Sequence, residues 1–230
     1  NITEQSNTNL TNYQVNLSIN TSSLIAAGKM NGDCSDVRFA DNASNQLNYY
    51  IASGCNTTNT TIWIKTNLSA NTTSTIYIYY GNPSASPGSN GTATFAFFDD
   101  FEGTSLDSKW FISSSNYNVS ESVLRINVGA IGLTNPLSFN LNDDYILESR
   151  MQYNQSASYS GTLSGQSARW TQSGNGGADA TSLYFTSSAT DVIRYTSNGS
   201  ATGYGCGSGT VWTPYSTGVW YILGQKFNSS

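Results

Sequence analysis

Apolar and polar residues alternate along this chain in short runs, and no run carries a helical stripe for long. Tyr13, Val15, Leu17 and Ile19 alternate with Gln14, Asn16 and Ser18. That period of two predicts a strand over 13–20, with the apolar set buried and the polar set wet. Val37 and Phe39 repeat the pattern within 36–41, a run over 47–53 follows, and Ile62 and Ile64 repeat it within 61–66. Ile76, Ile78 and Tyr80 alternate with Tyr77 and Tyr79 within 75–81. One helical turn is predicted between the first two strands, over 23–27, with Thr21 or Ser22 as its cap and Gly28 as its stop. Turns rich in Asn and Thr separate the runs, so an antiparallel sandwich is expected.

The pattern breaks at Gly81-Asn82-Pro83, where Pro supplies no N–H and a strand cannot continue. Residues 84–94 are uncharged and rich in Ser, Pro, Gly and Thr, which is linker chemistry. The apolar pattern restarts as a strand at Phe95, Phe97 and Phe98 and runs into an acidic turn, Asp99-Asp100-Phe101-Glu102-Gly103. A turn over 105–110 then leads to a buried Trp110. Further strands are predicted over 123–128, 131–134, 137–141, 145–153, 161–170, 182–187, 192–196 and 219–227. Glu148 and Arg150 share a face of one of them and are expected to pair. The fold class is therefore all-β, with two antiparallel, jelly-roll-like sandwiches in tandem. Residues 1–12 form an exposed arm, 13–83 a small sandwich, 84–94 an exposed hinge and 95–230 the second sandwich. The last run looks like an inner strand with only 228–230 after it, so this sandwich is expected to lack closing strands or to receive them from another subunit.

Composition narrows the function classes. Only 10% of the 230 residues are charged, against roughly 25% in an average soluble protein. The chain has no His, which removes the commonest general base, the commonest metal ligand and every Ser-His or Cys-His pair. A net charge of −5, with nine basic residues scattered singly, gives no footprint for nucleic acid. No apolar run is long enough to span a membrane as a helix. The chain opens on Asn1 without an initiator Met, as expected of a processed chain. Few carboxylates means few ion pairs to lose on protonation, so a surface that works in acid is expected. A melting curve that collapses below about pH 4 would count against that.

The compartment signal comes from Asn-x-Ser/Thr triplets. They occur at Asn1, Asn9, Asn16, Asn20, Asn42, Asn56, Asn59, Asn67, Asn71, Asn90, Asn118, Asn154, Asn198 and Asn228, or 14 of the 26 Asn. With 62 Ser and Thr in 230 positions, chance gives about seven, so the excess is twofold and chance accounts for about half of them. An extracellular, heavily N-glycosylated protein is expected. In that setting Cys34 and Cys55 form the natural disulfide, whose loop closure contributes roughly 3 kcal/mol. Cys206 is left over, either buried or paired with another chain. Three Cys without His have no zinc spacing.

Residues 13–83 resemble a small domain of unknown function found in archaeal and bacterial surface proteins. The matching pieces are Tyr13-Gln14-Val15, Asp36-Val37-Arg38-Phe39, Thr61-Ile62-Trp63-Ile64-Lys65 and above all Ile76-Tyr77-Ile78-Tyr79-Tyr80-Gly81-Asn82-Pro83. In that family the domain often precedes a concanavalin A-like, laminin-G-like jelly roll with a Phe-Phe-Asp-Asp-Phe opening. Phe97-Phe98-Asp99-Asp100-Phe101, with Leu106 and Trp110 behind it, is similar to that opening. The resemblance implies the tandem sandwiches and no established activity.

Three chemistries remain to be weighed. Asp99, Asp100 and Glu102 offer oxygens for calcium, against the plainer reading of Asp side chains capping a turn. A glycosidase of this fold needs a carboxylate pair, and the strand holding Glu148 has one carboxylate, so no enzyme is expected. Tyr204, Trp212 and Tyr215 lie in a Gly-rich stretch where aromatic faces can stack on sugars, against the plainer reading of core packing. The expected function is a structural subunit of an extracellular surface assembly, a filament, pilus-like thread or surface layer. Its partners are copies of itself, with other surface proteins or glycans, joined by β-strand addition with the arm as donor. The alternative is a carbohydrate-binding adhesin module.

Overall fold

The structure, a computed structural model, describes residues 1–113, 115–127, 131–134, 145–152, 162–168, 172–173, 177–178, 181–186, 192–197, 212–214, 216 and 218–227. Among the described residues the regular structure is antiparallel β-sheet apart from two short helices, as the period-two runs predict. The chain separates into two compact units, 1–137 and 138–230.

The first unit begins with β1 (Ile2–Thr3) and β2 (Leu10–Ile19), then α1 (Thr21–Ala26). Next come β3 (Arg38–Ala40), β4 (Gln46–Leu47), β5 (Tyr49–Ser53) and β6 (Thr60–Leu68), then β7 (Thr73–Ser74), β8 (Tyr77–Tyr79) and α2 (Gly91–Thr94). Two three-stranded sheets face each other, one in the order β2-β6-β5 and the other β4-β3-β8. β6 is the central strand, and its alternation is strict. Thr60, Ile62, Ile64, Thr66 and Leu68 point inward and are buried, while Thr61, Trp63, Lys65 and Asn67 point outward. Ile62 and Ile64 meet Val37, Phe39, Tyr49, Met30 and Cys34 in one core. Tyr49 is buried with its ring edge-on to Phe39 at 5.2 Å. Its hydroxyl donates to the Val37 carbonyl at 2.6 Å, which satisfies the one polar atom it brings inside. Cys34 and Cys55 are joined as a disulfide, with their Cα atoms 5.9 Å apart.

Local chemistry explains the boundaries. α1 starts one turn position earlier than Thr21 or Ser22 as cap would require. Asn20 is the cap, accepting the Ser23 N–H at 3.1 Å through its side-chain oxygen. The helix stops before Gly28, which sits at φ +65°. On β2, Leu17 and Ile19 pack against the core and Asn16 and Ser18 are exposed. Tyr13 departs from the expected burial, at 48% exposed, although it keeps the register of β2 opposite the buried Thr66; the bulge lies between it and Leu10.

The expected arm does not stand free. β1 pairs with β7 antiparallel, Ile2 opposite Ser74 and Thr3 opposite Thr73. The Glu4 N–H donates to the Thr72 carbonyl at 3.0 Å, and its buried carboxylate accepts the Ser6 hydroxyl and the Ser6 and Asn71 N–H groups. Asn9 and Asn12 continue the seam to Ala70 and Asn67. Polar Asn, Ser and Thr, which alternate poorly as a strand, serve here as side-chain stitches.

Nor is 84–94 a hinge. The Arg38 guanidinium donates to the Ser86 carbonyl at 2.6 Å, the Ser89 hydroxyl accepts the Ile51 N–H at 2.9 Å, and the Asn90 N–H donates to the Tyr49 carbonyl at 2.8 Å. The segment is a strap that satisfies the outer edge of β5. It ends in α2, where Gly91 and Thr94 are buried.

Phe95, Phe97 and Phe98 do not form a strand. Phe95 and Phe98 lie over Tyr50 and Trp63 on the outer face of the β2-β6-β5 sheet, with ring centroids 4.6–5.9 Å apart. The Phe-rich stretch therefore belongs to the first unit, and the unit boundary falls well beyond 84–94. The unit closes with β9 (Trp110–Ile112) against β12 (Ile131–Leu133) and β10 (Tyr117–Ser120) against β11 (Val123–Ile126).

In the second unit β13 (Tyr145–Gln152) pairs along its whole length with β20 (Trp220–Phe227). Between them β14 (Thr162–Ala168), β17 (Thr181–Thr186), β18 (Val192–Ser197) and β19 (Trp212–Pro214) form a four-stranded sheet, and β15 (Gln172–Ser173) pairs with β16 (Gly177–Ala178). The strand expected over 137–141 and Cys206 lie outside the described residues. Arg150 places its guanidinium over the Trp220 ring, 4.7 Å from the centroid, so the expected pairing with Glu148 gives way to a cation–π contact.

Candidate functional site

Among the described residues no three His, Cys, Asp or Glu side chains converge to hold a metal. The acidic turn shows what its carboxylates do instead. Asp99 is 11% exposed and pairs with Lys109 at 3.0 Å through Oδ2, the oxygen that also accepts the Trp110 indole N–H. Oδ1 accepts the Phe101 N–H at 2.7 Å. Burial pushes the Asp99 carboxyl up, and the Trp110, Phe101 and Lys109 donors together more than offset it, so the group titrates below the usual range. Asp100 accepts the Glu102 N–H at 3.4 Å. Lys109 also donates to the Phe98 carbonyl at 2.8 Å. The turn thus holds its own cation. Phe97 and Phe101 flank Trp110 with centroids 5.3 and 5.7 Å away, so the corner fixes the aromatic layer.

Of the expected sugar-stacking residues, Tyr204 and Tyr215 lie outside the described residues, and Trp212 is described only as backbone of β19. A different aromatic set is exposed. Tyr77, Tyr79 and Tyr80 are 48%, 53% and 40% exposed. Tyr77 and Tyr79 stand two residues apart on β8, an outer strand of its sheet, and so share one face. The period-two alternation of Ile76, Ile78 and the tyrosines carried this signal.

Among the described residues the outer edges of β2 and β8 have no backbone partner, since β2 pairs only with β6 and β8 only with β3. The edge of β5 is covered by the strap. The contrast between covered and open edges is the main feature that sequence periodicity could not reach.

Eleven of the sequon asparagines are described, namely Asn1, Asn9, Asn16, Asn20, Asn42, Asn56, Asn59, Asn67, Asn71, Asn90 and Asn118, and every one is exposed. Asn154, Asn198 and Asn228 lie outside the described residues. Asn56 and Asn71 adopt φ +63° and +54°, a conformation Asn tolerates better than most residues. Among the described residues no helix is long and apolar enough to cross a membrane.

Residues 33–114 match the model of a family described as a domain of unknown function, DUF2341. The match takes in the strap, the Phe-rich stretch and Trp110, the same residues that the structure packs onto the first unit. No curated protein and no solved structure matches the chain.

Proposed function

We propose that this protein is a structural subunit of an extracellular, N-glycosylated surface assembly, a filament, pilus-like thread or surface layer, built from copies of itself. The observation that carries the reading is the pairing of open and guarded edges. A strand with one unpaired edge is a template for another strand. Here β5 is strapped, whereas among the described residues the outer edges of β2 and β8 have no backbone partner, in a unit whose described sequon asparagines are all exposed. Copies add to one another along these open edges by β-strand addition. The docking of residues 1–12 on the 67–75 segment of the same chain makes the arm a stay for its own unit, and its use as donor would first require those stitches to open. Negative-stain microscopy of native material tests the reading: a polymer with a regular axial repeat is expected, and monodisperse monomers would refute it. A proline at Val15 or at Ile78 would then shorten or abolish the polymer, according to which edge is used.

A second reading, a carbohydrate-binding adhesin, is favoured by the Tyr77 and Tyr79 faces on β8. Exposed aromatic rings are platforms for the apolar faces of sugars. Glycan-array binding that disappears in the Tyr77→Ala, Tyr79→Ala double variant would support it.

A further inference from the structure

We propose that Asn9, Asn20, Asn67 and Asn90 carry N-linked glycans on the folded chain, and that Asn71, although it lies in a sequon, stays bare. The proposal rests on the glycoprotein reading above and sharpens it to individual sites. Exposure does not separate these residues, since Asn7, Asn12, Asn45 and Asn48 are exposed without being sequons. The hydrogen bonding of the side-chain amide divides the sequons among themselves.

An amide has two ends with opposite uses. Its oxygen only accepts, and its nitrogen carries two protons and only donates. Glycosylation acts on the nitrogen alone. The C1–O bond of a glycosyl phosphate donor breaks, an Nδ2–C1 bond forms, one Nδ2 proton leaves to a base of the transferase, and the phosphate departs with the bonding pair. The oxygen is unchanged.

In the four assigned sites the fold holds the oxygen, and among the described residues the nitrogen has no partner. Asn9 Oδ1 accepts the Ala70 N–H at 2.9 Å, and Asn67 Oδ1 accepts the Asn12 N–H at 2.8 Å. Asn20 Oδ1 accepts the Ser23 N–H at 3.1 Å, and Asn90 Oδ1 accepts the Ala93 N–H at 2.9 Å. Each donor is a backbone N–H, which can only donate, so the orientation of each amide is set by chemistry. Asn9 and Asn67 are reciprocal stitches across the seam of the N-terminal segment, and Asn20 and Asn90 cap α1 and α2. These asparagines thus serve the fold with one end of the amide and present the other to solvent.

Three asparagines outside sequons use the nitrogen, while Asn82, which Pro83 excludes from a sequon, accepts the Ser84 N–H at 3.0 Å through its oxygen. Nδ2 donates from Asn31 to the Ser35 hydroxyl, from Asn45 to Asp41 and from Asn127 to the Asn116 oxygen, each at 2.9 Å. Asn71 behaves like this second group, because its Nδ2 donates to Asn7 Oδ1 while its own backbone N–H is held by the Glu4 carboxylate at 2.9 Å. A sugar at that nitrogen would crowd the N-terminal segment where it meets the chain.

Site-resolved mass spectrometry of glycopeptides from the native protein provides the test. Sugar is expected on Asn9, Asn20, Asn67 and Asn90 in most copies, with the Asn71 peptide unmodified in most copies. The proposal is overturned if Asn71 is occupied as fully as those four, or if any of the four is bare while other sequons carry sugar. If no sequon carries sugar, the glycoprotein reading fails as well. A pair of variants probes the dual use of the amide directly. Asn67→Asp keeps the acceptor and loses the attachment atom, whereas Asn67→Ala loses both. Against the enzymatically deglycosylated wild type, Asn67→Asp should melt unchanged and Asn67→Ala about 2–4 °C lower. Equal losses in both would remove the stitch from the argument and overturn it.

Discussion

The two faces of β6 are built in different ways. Inward, Ile62 and Ile64 are fully buried in an aliphatic and aromatic core that two sheets supply by simple alternation. Outward, Trp63 joins Tyr50 under Phe95 and Phe98, which arrive from a segment that belongs to no sheet. The inner face is made by period, and the outer by a strap and a corner. An antiparallel sheet with a wet face alternates cleanly, so aromatic residues at Tyr50 and Trp63 on the supposed wet face signal a second covering layer. The comparison also separates two kinds of stability. Loss of the inner face should unfold the unit, whereas loss of the outer layer should free a segment while the sandwich persists.

The largest effect is expected inside. Ile62→Ala removes three carbons from a site with no accessible surface and should cost about 2–5 kcal/mol. Thermal or urea melts should show a single, earlier transition for the whole first unit. An early transition confined to the aromatic layer would mean that the inner face does not hold the unit together.

The outer layer breaks at Gly91. A Cβ built there would lie 2.3 Å from the Phe98 ring, far inside contact distance. The ring must leave Gly91→Val, at about 1–3 kcal/mol. Hydrogen exchange should rise over 84–98, including the Asn90 amide that donates to Tyr49, while the amides of β6 keep their protection. Uniform loss of protection across both would show one cooperative layer.

The strap should yield to a smaller change. Arg38 donates to the Ser35 carbonyl at 2.9 Å and to the Ser86 carbonyl at 2.6 Å. Arg38→Met keeps the apolar stem and deletes these bonds, for a loss of about 1–2 kcal/mol. Its more telling readout is association, because freeing the strap opens the edge of β5. Light scattering should detect concentration-dependent growth in the variant beyond that of the wild type.

Much of the inner construction was legible in the sequence. Strand positions from 13 to 81 followed from alternation, because burial on one face of a pleated strand imposes a period of two. The Cys34–Cys55 bridge followed from the expectation of an extracellular setting, in which these two cysteines are the natural pair. The outer layer was not legible in the same way. Phe95, Phe97 and Phe98 resemble a strand start, yet Phe95 and Phe98 face the sheet while Phe97 turns to Trp110. Side chains that fan between two neighbours have no period to detect. Residues 1–12 and 84–94 looked like a free arm and a hinge because polar, uncharged composition is shared by solvated linkers and by segments stitched through side-chain amides and hydroxyls. Only the partners distinguish them, and those are distant in sequence.

Acid offers the gentlest way to part the two faces. Lys109, Trp110 and the Phe101 amide hold the Asp99 carboxyl below its ordinary range against the opposing pull of burial. A carboxyl whose folded pKa is depressed stabilises the fold fully above the unfolded value, near 3.9, and that contribution fades as pH falls through the lower folded value. The outer layer should therefore loosen only in strong acid, below about pH 4, while the inner core, built on Ile62, Ile64 and Phe39, has no such dependence at this site. Trp110 reports directly, since its indole N–H donates to Asp99. Its fluorescence should shift in the acid limb ahead of the far-ultraviolet signal of the strands. Asp99→Asn removes the charge that Lys109 pairs with and should move that shift away from the acid limb. Coincident fluorescence and far-ultraviolet transitions in both proteins would place Asp99 and Trp110 in the same cooperative unit as Ile62, and the distinction between the two faces of β6 would end there.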